Sequence, residues 1–244
     1  MTDVRLEPTE VSIPTSDGAM PGQLWFPPTA DDEQRPALVV FQEIFGVSDY
    51  IRQRCEDLAE LGYAVLAPEF YWRLPGPQRV DDSADDLLEK GMSLVSQLDW
   101  EAAVRDGIAA VEHLTTLPHV GKVGLVGYCL GGGLAYAVAA QTPTPPAVLV
   151  SYYGSALPQL VEAGVEVKVP SLHHFGTADA YLSQDQIQKI RDWVTQGHDD
   201  VRLKLHEDAG HAFDNPHPLF HHKGASRDAW RQTRKFLLKR LPPA

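Results

Sequence analysis

The sequence predicts an α/β protein: a mostly parallel central sheet with helices on both faces, opened by an N-terminal antiparallel hairpin. Strand-length apolar runs alternate with stretches of helical periodicity along nearly the whole chain. One run, Ala37 to Phe41, is continuously apolar, as expected of a strand covered on both faces. The 244 residues suffice for a sizeable core, and 43% hydrophobic with 22% charged residues is the balance of a folded globular chain. No repeat or low-complexity tract interrupts the pattern, so residues 1–244 read as one domain.

In order, Val11 to Pro14 and Gln23 to Phe26 form the hairpin, with Ser16-Asp17-Gly18 as turn chemistry. After the strand Ala37 to Phe41, Ile51, Cys55, Leu58 and Ala59 mark one face of a helix that Gly62 stops. Tyr63 to Ala67 is the next strand, ended by Pro68, and Glu69 to Val80 is a loop. Asp81 to Leu98 is polar and helical, and a further helix starts near Asp99 with Val104, Ile108 and Val111 inward. Val123 to Gly127 is a strand, Tyr128-Cys129 a turn and Leu130 to Ala140 a helix. Ala147 to Tyr152 and Ser171 to Phe175 are strands. Ser183 opens a helix through a capping box with Gln186, and Ile187, Ile190 and Val194 line its inner face. Val201 to Leu205 is the last strand. Ser226 to Leu238 is the last helix, with Ala229, Thr233, Phe236 and Leu237 inward.

A formal net charge of −12 argues against a nucleic-acid partner, which needs a basic face. The two cysteines, Cys55 and Cys129, make neither a disulfide framework nor a zinc motif. Met1 to Pro14 lacks the apolar core of a secretory signal, and no run approaches a membrane span. Free thiols and these absences fit a reducing, cytoplasmic setting with no membrane partner. Nothing in the sequence demands more than a monomer.

The chemical signal is Gly127-Tyr128-Cys129-Leu130-Gly131, a G-x-nucleophile-x-G elbow with cysteine in the place of serine. A strand turning sharply into a helix sets the nucleophile at the apex, and flanking side chains would collide with strand or helix. The helix N-terminus behind the apex favours both a thiolate and an oxyanion. The plainer alternative is a buried structural cysteine at a glycine-rich helix start. Asp179 follows 50 residues on, after the strand ending His173-His174-Phe175, where Gly176 loosens the turn. A turn or cap role is the alternative for Asp179, although Ser183 already caps the next helix. His211 follows 32 residues later, in the loop before the last helix. Nucleophile, acid and histidine thus come in the order used by α/β-hydrolases. His173 and His174 read as strand residues. His217, His221 and His222 cluster without a second ligand set, so no metal site is expected.

Gln42-Glu43-Ile44-Phe45-Gly46, Gly127 to Gly132 and Ala209-Gly210-His211-Ala212-Phe213 together resemble the dienelactone hydrolase family, the carboxymethylenebutenolidases. The resemblance runs from about Val11 to the last helix. It implies an α/β-hydrolase fold, a Cys129-His211-Asp179 triad, no cofactor, and a small ester or lactone as substrate. It also gives Glu43 a part in activating the thiol when substrate binds. A carboxylate beside the thiol would disfavour the thiolate by like-charge repulsion until substrate displaced it. The backbone N–H groups of Ile44 and Leu130 are the expected oxyanion hole. Dienelactone-specific members hold the substrate carboxylate with two arginines; here Leu88 and Asn215 stand at those positions, with Met92 near a family tyrosine. Arg73 or Lys90 are alternative anion contacts. Phe70, Tyr71 and Trp72, with Phe213, are candidates to line the pocket, with ordinary core or lid packing as the alternative. A thioesterase or acyl transferase on the same site, or a non-catalytic binding protein of the same fold, are the other readings.

Overall fold

The first turn forms where its chemistry lies. β1 (Thr9–Thr15) and β2 (Gly18–Trp25) pair antiparallel from Thr15↔Gly18 to Thr9↔Leu24. The Thr15 hydroxyl donates to the Gly18 carbonyl at 2.9 Å, and the Asp17 N–H donates to Thr15 Oγ1 at 3.2 Å. The computed structural model describes residues 6–27 and 34–243. Residues 1–5, part of the segment read as lacking a leader, lie outside the described residues. The chain divides into two compact units: Met1–Gly124 with Pro242–Ala244, and Leu125–Leu241.

In the first unit the hairpin is followed by β3 (Arg35–Phe41), α1 (Asp49–Glu60), β4 (Ala64–Pro68), α2 (Leu87–Ser96) and α3 (Trp100–Thr116). Its strands run in the order β1-β2-β4-β3, with β2 and β4 antiparallel and β3 and β4 parallel. β3 is buried from Pro36 to Phe41, as its unbroken apolar run requires. α1 buries Ile51, Cys55, Leu58 and Ala59 and ends at Gly62, whose φ of +101° suits glycine. α2 begins at Leu87 rather than Asp81. The Asp81 carboxylate instead accepts the N–H and hydroxyl of Ser83 at 2.8 and 2.7 Å, a local turn that competes with helix. Asp99 caps α3 by accepting the Ala102 N–H at 3.0 Å, and Val104 and Val111 are buried while Ile108 is half-exposed.

β5 (Val120–Tyr128) leads into the second unit, which continues with α4 (Leu130–Gln141), β6 (Leu149–Tyr152), α5 (Leu157–Glu162), β7 (Ser171–Gly176), α6 (Gln184–Thr195), β8 (Val201–His206) and α7 (Lys223–Arg240). The strands β5-β6-β7-β8 are parallel throughout, so their C-terminal ends and the loops after them share one edge. α4 is buried from Leu130 to Ala139, which explains a helix without a polar stripe. α5, a single six-residue segment, is too short to show periodicity in sequence. α6 carries the expected capping box and buries Ile187, Ile190 and Val194. α7 starts at Lys223, where His222 Nδ1 accepts the Ala225 N–H at 3.1 Å. Ala229, Thr233 and Leu237 form its buried face, and Phe236 lies half-exposed beside it rather than inward. Among the described residues no helix is long and apolar enough to cross a membrane.

Candidate active site

The elbow forms because the chain leaves β5 at Tyr128 and enters α4 at Leu130 with one residue between. That residue, Cys129, has φ +52° and ψ −115°. A side chain held there costs on the order of 1–3 kcal/mol and persists only when its surroundings fix it. They do: the Cys129 N–H donates to the Tyr152 carbonyl at 3.0 Å, and its own carbonyl accepts from Gly132 at 3.0 Å and Ser155 at 3.1 Å. Gly127 is obligatory, since a Cβ there would lie 2.1 Å from the Gly131 oxygen. Cys129 is 8% exposed. The N–H of Leu130, at the first position of α4, is among those a helix cannot satisfy internally.

Asp179 sits in the loop after β7. Its Oδ1 accepts the N–H groups of Tyr181 and Leu182 at 2.8 and 3.0 Å, while its Oδ2 lies 2.8 Å from His211 Nδ1. The turn role and the histidine-facing role are therefore not alternatives; one carboxylate fills both. His211 in turn places Nε2 3.1 Å from Cys129 Sγ. The loop carrying it is tied to the Asp179 loop: Ala178 N–H donates to the Ala209 carbonyl, and Asp208 N–H to Thr177 Oγ1, each at 2.9 Å. Gly176 does not loosen this turn, as the sequence suggested. It permits close approach, because a Cβ there would lie 2.0 Å from the Ala209 oxygen.

Burial works against a charged His211 imidazole, but the facing Cys129 sulfur and the Asp179 carboxylate outweigh it. Together they hold the ring well above the ordinary histidine value. Two aromatic rings flank it, Tyr153 at 5.3 Å and Tyr181 at 5.1 Å between centroids. Sequence reasoning missed both. Tyr153 directly follows β6, and that strand-end position was the available signal.

The remaining candidates fare differently. Phe213 is fully buried against Tyr152, Tyr153 and His206, so it supports Tyr153 from beneath rather than lining a pocket. In the first unit, Arg73 pairs with Asp106 and with Asp17 and stacks on Trp72 at 4.1 Å. Trp72 Nε1 donates to Asp106 at 2.9 Å. With two carboxylates already on its fork, Arg73 is not a contact for a substrate anion, and Trp72 belongs to the same structural cluster. Lys90 pairs with Asp86 at 2.8 Å. Met92 is half-exposed on α2, and Leu88 is partly exposed on the same helix. Glu43 is 1% exposed, in a turn where Gly46 N–H donates to its carbonyl at 3.3 Å. The carbonyl of the adjoining Ile44 accepts the Tyr71 hydroxyl at 3.0 Å. Asn215 is buried and accepts the His217 N–H at 2.9 Å through Oδ1. Among the described residues no group of three or more His, Cys, Asp or Glu could hold a metal ion.

Comparison with known proteins gives the family. The dienelactone hydrolase family model matches residues 21–241. The carboxymethylenebutenolidase of Pseudomonas putida is 36% identical over 207 residues, covering 83% of this chain and 84% of that protein. Carboxymethylenebutenolidase 1 of Cupriavidus pinatubonensis is 34% identical over 176 residues, covering 72% and 74%. A solved structure from Klebsiella pneumoniae subsp. pneumoniae MGH 78578, provisionally named a dienelactone hydrolase, superposes with a TM-score of 0.80 at 25% identity, covering 95% of this chain and 98% of that one. The chain belongs to the dienelactone hydrolase family and is a hydrolase of carboxylic esters or lactones with the α/β-hydrolase fold.

Proposed function

We propose that this protein hydrolyses small, uncharged carboxylic esters or lactones through a Cys129-His211-Asp179 triad and a thioester intermediate. The observation that carries the reading is the continuous contact from Cys129 Sγ through both His211 nitrogens to Asp179, at 3.1 and 2.8 Å, starting from a strained elbow. His211 takes the thiol proton, and the sulfur attacks the acyl carbon to form the C–S bond. The Leu130 N–H, at the positive end of α4, is suited to stabilise the oxyanion. When the tetrahedral intermediate collapses, the C–O bond breaks and His211 returns the proton to the leaving oxygen. In a lactone that oxygen stays on the same molecule. His211 then deprotonates water, which attacks the thioester; the acid forms and Cys129 leaves as thiolate. Asp179 holds the imidazole in the required tautomer and stabilises its cation throughout.

The family resemblance extends this machinery to Glu43, as a switch on the thiol, and to the Ile44 N–H as a second oxyanion donor. What supports Glu43 is the sequence match together with its burial. The choice of uncharged substrates rests on Leu88 and Asn215, neither of which offers the planar cationic fork that grips a carboxylate. A panel of cis- and trans-dienelactones, simple aryl esters and uncharged lactones tests it by kcat/KM. Uncharged substrates are expected to be preferred by tenfold or more. A preference for the dienelactones would contradict the substrate assignment, and no turnover on any member would contradict the reading as a whole.

A further inference from the structure

Ester hydrolysis leaves one charged feature of the second unit unused. A groove of about 440 Å³ lies between α7 and β8, within the size range of small-molecule sites. Six cations line it: Arg202, Lys204, Arg231, Lys235, Lys239 and Arg240. The chain has 21 Lys and Arg in all and a net charge of −12, so this concentration inverts the sign of the molecule locally.

Two of the six are compensated. Arg240 pairs with Asp200, the single carboxylate lining the groove, and Arg231 pairs with Asp228. Arg202 reaches only backbone carbonyls, of Asp199 and Val201. Lys204, Lys235 and Lys239 have no ion-pair partner among the described residues. Four uncompensated cations therefore face one concavity.

Ordinary structural roles cover parts of this set but not the whole. β8 is the terminal strand, and exposed Arg202 and Lys204 discourage edge-to-edge pairing. Lys239 and Arg240 suit the negative end of α7. Neither role accounts for Arg231 and Lys235. Spaced with Lys239 at i, i+4 and i+8, they set like charges beside one another, which weakens a helix. Nor does either role explain why strand and helix turn their cations into the same groove, with the half-exposed Phe236 beside them.

We propose that this groove binds a free small molecule carrying two or more phosphate groups. Each phosphate monoester bears about −1.5 to −2 charges at neutral pH, so two offset the four free cations. The set combines Lys point charges with Arg forks, both of which recognise phosphate. The concave shape favours a compact ligand over a membrane, and the net negative charge of the chain disfavours nucleic acid.

Inorganic tripolyphosphate is a suitable probe, followed by calorimetric titration and by thermal unfolding against sodium chloride of equal ionic strength. Saturable binding at one site per chain is expected, with a rise in Tm that sodium chloride does not reproduce. Lys235→Glu with Lys239→Glu on the helix, and separately Arg202→Gln with Lys204→Gln on the strand, should each weaken binding tenfold or more and leave esterase activity unchanged. Should the helix variant fail to fold, the strand variant decides alone. A Tm rise matched by sodium chloride, or a folded variant that binds as tightly as the wild type, overturns the site. Binding to phosphatidylinositol bisphosphate vesicles without binding to tripolyphosphate overturns the choice of a free ligand.

Discussion

At the scale of single residues, one carboxylate of the candidate site serves two purposes. Asp179 shapes its own turn with one oxygen and orients His211 with the other. Asp179→Asn keeps an oxygen for the turn but removes the charge opposite the imidazole. It is expected to lower kcat/KM on p-nitrophenyl acetate by about 10²–10⁴-fold with little change in Tm. Activity within twofold of wild type would show that His211 needs no anionic partner. That Cys129, Asp179 and His211 come together was legible in the sequence, because a glycine-flanked elbow and strand-end positions leave marks in one dimension. Arg73 was not, because its partner Asp106 lies 33 positions away and only folding reveals that its charge is already engaged. Tyr181 carries no motif and Tyr153 only its place at a strand end, and their contact with His211 becomes explicit once three loops meet.

At the scale of elements, the inner strands β3, β4, β6 and β7 were readable because parallel pairing with both faces covered demands apolar runs. Helix starts were less so, since local side-chain turns compete with them. Asp81 and Ser83 delay α2, whereas Ser183 and Gln186 fix the start of α6 through bonds in both directions. Ser183→Ala removes the side-chain half of that box and should cost about 1 kcal/mol. Urea unfolding checks it; a change below a few tenths would mean that packing of Ile187, Ile190 and Val194 alone sets the start. The part of Gly176 was misread for a related reason. Sequence shows that a glycine is present but not whether it supplies freedom or space, and here the Ala209 backbone occupies the place of a Cβ.

At the scale of the whole molecule, three buried histidines link folding to pH. Burial pushes His173 down to about 4, and burial likewise lowers His174 and His206. An unfolded chain protonates these groups near pH 6.5, before the folded one does. The stability they contribute is therefore complete above about pH 6.5 and is lost as pH falls toward 4, by about 3 kcal/mol for His173. His173→Leu should flatten that slope in urea unfolding series between pH 7 and pH 4; an unchanged slope would remove His173 from the acid response. His211 shifts the opposite way, held up by the Cys129 sulfur and the Asp179 carboxylate against its burial, so it does not add to this acid loss. The most direct test of the catalytic assignment is mass spectrometry of the enzyme quenched during p-nitrophenyl acetate turnover, with Cys129→Ala measured in parallel. The expected result is an acetyl group on the Cys129 peptide, labile to hydroxylamine, and a folded variant without turnover. An acyl group on any other residue, or a variant that turns over as the wild type does, would contradict it.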